Sequence, residues 1–330
     1  MPRPLAIEIL EAIVTHYQAR REHDGHRDRG RSRDRDRDRR RHEEPSEERS
    51  FDVQPFDELH ISGPFDVEIQ TGEAPGVEAA GSDEGMAAVS IEQDGSRLFI
   101  GCAEEGIDED VSIVVTVETL RSAQLSGSGD VSVDRLEGES FECTSCGSGD
   151  VSIESLEAGA AKISLAGSGD VQIDRLQGDR AEISVLGSGD VSIETLEASS
   201  FKLAMNGSGD VAIDDYSGDE IDATLAGSGD LVIANIEADA AKVALFGSGN
   251  CSIESGRITN GSFETAGSGA ISAEDTDVAE ARIAVCGSGD VSLQASDTAD
   301  ITIMGSGDVS VTGGAKCTIH GGGSGDVRCS

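Results

Sequence analysis

Carboxylates recur in this sequence at a fixed interval. Asp130, Asp150, Asp170, Asp190, Asp210 and Asp230 lie twenty residues apart, Asn250 and Ala270 interrupt the series, and Asp290, Asp308 and Asp326 resume it. A second acidic series, Asp134, Glu154, Asp174, Glu194 and Asp214, keeps the same interval. If the chain stacks with that period, each carboxylate stands ~4.8 Å from the next. Like charges at that distance cost each other ~0.9 kcal/mol even in the dielectric of bulk water. Calcium, which takes carboxylate and backbone oxygens, would relieve such a stack, so the first series is the candidate metal site, a cation ladder. The competing reading is structural: an Asp at a tight turn caps its own turn through its carboxylate. The Gly-Gly-x-Gly-x-Asp repeats that bind calcium have a nine-residue period, whereas this one is twenty with Ser in place of the second glycine, which favours the turn. Calcium is the one cofactor the residues raise.

Other chemistry is thinner. Cys143 and Cys146 have Cys-x-x-Cys spacing without a second pair, and the repeat puts Cys143 on an inward column shared with Ile163 and Ile183, so a buried thiol is expected there rather than a zinc ligand. Cys251, Cys317 and Cys329 also fall on inward columns. Seven cysteines give no obvious disulfide framework. Four of the six histidines lie before residue 43, the others being His60 and His320, and no nucleophile, base and orienting group can be assembled from them. Catalytic residues are therefore expected to be absent, and the paired carboxylates read as a solvated face rather than a glycosidase site.

The residues before each Asp explain the interval. Gly-Ser-Gly begins at Gly127, Gly147, Gly167, Gly187, Gly207, Gly227, Gly247, Gly267 and Gly287, then at Gly305 and Gly323 after steps of eighteen. A fixed period of this size is the signature of a solenoid, in which each coil buries its apolar face only against its neighbours. After each Asp comes an apolar-polar-apolar triplet such as Val131-Ser132-Val133 or Val151-Ser152-Ile153, and further on a second alternating run such as Lys162-Ile163-Ser164-Leu165. Period two marks strands, not helices. The column Glu142, Lys162, Glu182, Lys202, Asp222, Lys242 alternates in sign, which supports parallel in-register stacking and implies a forty-residue super-repeat. The expected fold is all-β, a right-handed parallel β-helix of ~20-residue coils. In it the mark is a corner: Gly127, Gly129, Gly147, Gly149, Gly167, Gly169, Gly187 and Gly189 adopt positive φ and let backbones approach, and the serine hydroxyls bond along the stack.

Three segments follow. Residues 1–50 form a leader, with an amphipathic helix over 4–22 (Leu5, Ile9, Ile13 and Tyr17 on one stripe) and then a disordered Arg/Asp-rich linker reaching Glu48. Residues 51–120 carry short strand patterns, with a hairpin at Asp94-Gly95, and are read as an N-terminal β cap; residues 121–330 are the repeats. Residues 1–49 hold 13 Arg against 12 Asp plus Glu, leaving 12 Lys plus Arg against 52 Asp plus Glu for the body. Such a surface repels phosphate backbones, so nucleic-acid partners are excluded for the body. No apolar run is long enough to span a membrane.

The Gly-Ser-Gly-Asp-Val marks, preceded by the opening Phe56-Asp57-Glu58-Leu59-His60-Ile61-Ser62-Gly63-Pro64-Phe65-Asp66-Val67-Glu68-Ile69, resemble the putative auto-transporter adhesin, head GIN domain family of bacterial envelope proteins over residues 51–330. The resemblance implies a β-helix at the cell envelope or outside the cell, a surface ligand that is a protein or a glycan, and no enzymatic activity. Members usually begin with an export signal. Here Glu8 and Glu11 interrupt the apolar residues 5–14 and no signal peptide is recognisable, so a cytoplasmic location stays open. Two further readings stand beside the adhesin-like one: a self-associating, bactofilin-like cytoplasmic scaffold and a carbohydrate-active β-helix.

Overall fold

The computed structural model describes residues 47–102 and 111–330, so the helix expected over 4–22 and almost all of the Arg/Asp-rich linker lie outside the described residues. The first strands are β1 (Glu47–Phe51), β2 (Glu58–Ser62), β3 (Asp66–Thr71), β4 (Gly76–Gly81), β5 (Val89–Asp94), β6 (Arg97–Cys102), β7 (Val111–Val117) and β8 (Ser122–Leu125), with one short helix, α1 (Asp83–Ala88), between β4 and β5. The repeats then supply β9 (Val131–Ser145), β10 (Val151–Leu165), β11 (Val171–Val185), β12 (Val191–Met205), β13 (Val211–Leu225) and β14 (Leu231–Leu245), each of 15 residues. The coils close with β15 (Cys251–Ile253), β16 (Gly256–Thr265), β17 (Ile271–Val285), β18 (Val291–Ile303), β19 (Val309–Thr312), β20 (Lys316–Gly321) and β21 (Val327–Cys329).

The chain is a parallel β-solenoid, and its register follows from the repeat. Val151 pairs with Val171, Ile153 with Ile173, Leu156 with Leu176 and Ile163 with Ile183, so like side chains stack on like. The same rows continue from β9 through β14. Within β9 the alternation of buried and exposed residues breaks at Asp134-Arg135, both exposed, and again over 137–140. A flat strand alternates strictly, so these breaks are bends. Each coil thus has a first side (Val131 and Val133 inward), a second side around Leu136, and a third side (Phe141, Cys143 and Ser145 inward). The interior is apolar almost throughout, and its two buried threonines bond to backbone: Thr265 Oγ1 donates to Gly269 O at 3.2 Å and Thr276 Oγ1 to Ile253 O at 3.2 Å.

In the N-terminal region the spatial order of the layers departs from the chain order. The coil made by β2 and β3 lies between β6–β7 and β8–β9: Ile61 pairs with both Ile100 and Leu125, and Val67 with both Ile113 and Val131. Beyond this layer the pairing turns antiparallel, with β4 on β7, β5 on β6, and β1 on β4. The hairpin expected at Asp94-Gly95 is present, with Asp94 opposite Arg97 and Gly95 at φ 62°.

Two expectations need correction, and one element was not foreseen. The linker read as disordered to Glu48 gives way to β1 from Glu47, whose polar Glu-Glu-Arg-Ser carries no strand signal and which is held by its pairing with β4. Helix α1 has no counterpart in the sequence reading, because six residues are too few for a helical period to register. Its start is legible afterwards: Ser82 accepts the Gly85 N–H at 3.0 Å and Asp83 and Glu84 follow in the first turn. Finally, Cys317 and Cys329, read as buried thiols, form a disulfide that joins β20 to β21. They sit on inward columns, but Cys329 is exposed, β21 pairing among the described residues with β19 alone.

Candidate functional site

The corner joins the third side of one coil to the first side of the next. Its glycines do not have positive φ; among the described glycines that conformation belongs to Gly63, Gly95, Gly256, Gly313, Gly314 and Gly321. Their need for glycine is close approach alone. A Cβ on Gly147 would strike the carbonyl of Gly127, one on Gly149 that of Gly129, and the same holds for Gly167, Gly169, Gly187 and Gly189 against the coil before. The first coil obeys the rule too, with Gly127 set over Gly63 and Gly129 over Phe65. The serines act mainly through their backbone, Ser148 N–H donating to Gly127 O at 3.0 Å and Ser168 N–H to Gly147 O at 3.0 Å, although Ser324 Oγ does reach Ser306 Oγ at 3.2 Å.

The aspartates bond between coils rather than within their own turn. Asp130 Oδ1 accepts the backbone N–H of Asp150 at 2.9 Å, Asp150 that of Asp170 at 2.8 Å, Asp170 that of Asp190 at 2.8 Å, Asp190 that of Asp210 at 2.7 Å, and Asp210 that of Asp230 at 2.7 Å. Each Asp carbonyl in turn accepts the N–H of the apolar residue that follows the corner of the preceding coil, as Asp150 O does from Val131 at 2.8 Å and Asp290 O from Ile271 at 2.9 Å. The carboxylate therefore supplies an acceptor to an amide that the strand ladder leaves over at the corner. The ladder begins at Asp66, which accepts Asp130 N–H at 3.0 Å, so the degenerate first mark takes part. Asp230 accepts Asn250 N–H at 2.6 Å, and the Asn250 amide oxygen accepts Ala270 N–H at 3.0 Å; a neutral acceptor serves as well. Ala270 has no side-chain oxygen, and the ladder resumes from Asp290 to Asp308 and Asp326. Among the described residues no three His, Cys, Asp or Glu side chains gather in a metal-binding group.

Two outward columns carry the remaining charge. On the first side, Asp134 and its neighbours push the Glu154 carboxyl above its usual range, chiefly through a side-chain hydrogen bond with Asp134 and repulsion from it. Glu68 is also raised, by burial and then by Asp134. On the third side, signs alternate: Lys162 Nζ meets Glu142 at 2.8 Å and Lys242 Nζ meets Asp222 at 3.5 Å, and the Glu142 contact holds the Lys162 ammonium above its usual range. The Cys143 and Cys251 thiols are buried and pushed up to about 12 by desolvation, which makes them inert. Cys146 faces outward, so the Cys-x-x-Cys pair does not converge. At the N-terminal end of the third side lies a cavity of about 610 Å³, with His60, Phe99, Gln124, Thr144 and Cys146 in its wall. Sequence reasoning missed it, because it depends on β6 stacking against β2 out of chain order. No helix among the described residues is long and apolar enough to cross a membrane.

A family model described as "Putative auto-transporter adhesin, head GIN domain" matches residues 55–235 and again residues 207–315. Among solved structures, a putative adhesin of Parabacteroides distasonis aligns at 17% identity over 87% of this chain and 98% of its own, with a TM-score of 0.39. A putative adhesin of Bacteroides fragilis aligns at 15% identity over 87% and 97%, with a TM-score of 0.41. One of Parabacteroides merdae aligns at 15% over 86% and 96%, with a TM-score of 0.38. No curated protein matches.

Proposed function

The chain belongs to the putative auto-transporter adhesin, head GIN domain family, and from that premise we propose that it is a non-enzymatic protein of the cell envelope or cell surface, presenting a rigid acidic β-solenoid to a protein or glycan ligand. The observation that carries the placement is the Cys317–Cys329 disulfide across the last coil. Disulfides persist in oxidising compartments and are rare where thiols are kept reduced. The coil architecture accounts for rigidity, since every coil is bonded to its neighbours by strand ladders and by the aspartate ladder at the corner. The Asp ladder contributes as a structural cap, with any cation held loosely around it rather than in discrete sites.

The test is cell fractionation combined with thiol alkylation of the intact chain. The expected result is an envelope or extracellular pool in which Cys317 and Cys329 resist alkylation until reduced. A purely cytoplasmic pool with both thiols open to alkylation would overturn the proposal.

A further inference from the structure

We infer that two copies of this chain dock antiparallel, face to face, through the outward surface of the third side. Its first outward column runs from Arg97 through Glu58 and Ser122 to Glu142, then up the alternating rungs to Lys242, and on through Ser262 and Arg282 to Asp300, each residue in register with the next. Place a two-fold axis along the strands, between Glu182 and Lys202. Glu182 then faces Lys202 of the second copy, Lys162 faces Asp222, and Glu142 faces Lys242. Continuing outward, Ser122 faces Ser262, Glu58 faces Arg282 and Arg97 faces Asp300. Alternation alone gives the inner three pairs; it does not require the outer two, which lie beyond the alternating run. Sliding one copy by a single coil sets Lys162 against Lys242 and Glu182 against Asp222, so the charges specify both orientation and register.

The other two outward columns fit the same axis. Leu186, Phe246 and Met304 are exposed at 55%, 51% and 66%, and all three occupy the position just before a Gly-Ser-Gly mark, in the column of Cys146. Under the two-fold, Phe246 falls opposite Cys146 and Met304 opposite Gly101, and both of those residues line the cavity of about 610 Å³. The two large exposed side chains at one end of the face are thus aimed at the hollow at the other. In the middle column Phe99, which stacks on His60 at 4.9 Å and lies 5.9 Å from the Arg97 guanidinium, falls opposite Thr302. A two-fold along the solenoid axis would instead press the charged column onto the apolar one and bury unpaired charge.

The size of the face is sufficient. Twelve rungs at ~4.8 Å span about 53 Å, and the three columns with their margins are about 13–17 Å wide, giving on the order of 700–900 Å² per copy. That is the area of a standard specific interface. Exposed ion pairs add little affinity, so the apolar knobs supply the association and the charges its register.

Sedimentation equilibrium of the full chain tests this, with disulfide trapping to fix the register. A dimer is expected at or below tens of micromolar, weakened about tenfold or more by Phe246→Ser. Lys162→Glu and Asp222→Lys should each weaken it, and the two together should restore it, because the facing pair is merely exchanged. Phe246→Cys, oxidised with copper phenanthroline in air so that two thiols lose two protons and two electrons to oxygen, should give a covalent dimer that disappears when Cys146→Ser is added. A monomer on the order of 100 µM, a dimer indifferent to both charge variants, or a Phe246→Cys crosslink that survives Cys146→Ser would overturn the inference.

Discussion

The first and third sides of each coil present charge at the same spacing with opposite arrangement. On the first side Asp134, Glu154 and Asp174 stack like on like, and the cost is visible in the raised Glu154 carboxyl. On the third side Glu142 and Lys162 stack unlike on unlike, and the gain is visible in the raised Lys162 ammonium. Same ladder, same distance, opposite sign of interaction: the difference lies in side-chain choice and not in the backbone. The like-charged column carries a repulsion that the alternating column replaces with attraction.

The comparison breaks most completely at the corner that joins the two sides. Gly169→Ala places a methyl group against the Gly149 carbonyl, and because the obstacle is backbone the stack must open; a loss of roughly 3 kcal/mol or more is expected in denaturant unfolding. Next in size is the cap. Asp170→Ala removes the acceptor for Asp190 N–H and should cost about 1 kcal/mol, while Asp170→Asn should be close to neutral, as Asn250 already does this work in its own coil.

Exchanging the arrangements sharpens the contrast. Lys162→Glu makes the third side like-charged and should lower the melting temperature, whereas Glu154→Lys makes the first side alternate and should raise it, both effects shrinking in high salt. Smaller still is the response to pH. Because the folded Glu154 and Glu68 carboxyls are raised, the native state binds protons that the unfolded chain does not in the interval just above the ordinary carboxylate pKa, so stability rises as pH falls through it. Glu58, lowered by Arg97, acts in the other direction only below that interval. His60, lowered by burial and by Arg97, opposes this below the ordinary imidazole pKa, so the signature is a difference: the melting temperature of the native sequence should gain on that of Glu154→Gln as pH falls through the interval just above the ordinary carboxylate pKa. The smallest effect is calcium: titration of chelator-stripped protein should show no saturable binding, and saturable heat with a matching rise in melting temperature would restore discrete sites at the Asp ladder.

The repeat body was legible because each coil restates the same inward columns. Val151, Ile153, Leu156 and Ile163 are inside for the reason their counterparts twenty residues on are inside. Chemistry at the corner was legible in outline only. That aspartate caps a turn follows from its type, but that it caps the next coil's amide depends on where the corner's carbonyls point, which no local pattern encodes. The positive φ expected of the mark glycines was wrong for a related reason: a glycine needed for backbone approach and one needed for conformation look the same in sequence. The N-terminal layering, with β2–β3 between β6–β7 and β8–β9, was not legible at all, since it inverts the rule that sequence neighbours stack.

The alternating column also constrains how such a gene can lengthen or shorten. Removing one coil of twenty residues joins rungs that stood two apart, so that Glu142 would lie against Glu182. Removing two leaves the pattern intact, with Glu142 against Lys202. Length variants within residues 142–242 that keep the alternation are thus expected to differ by multiples of forty residues.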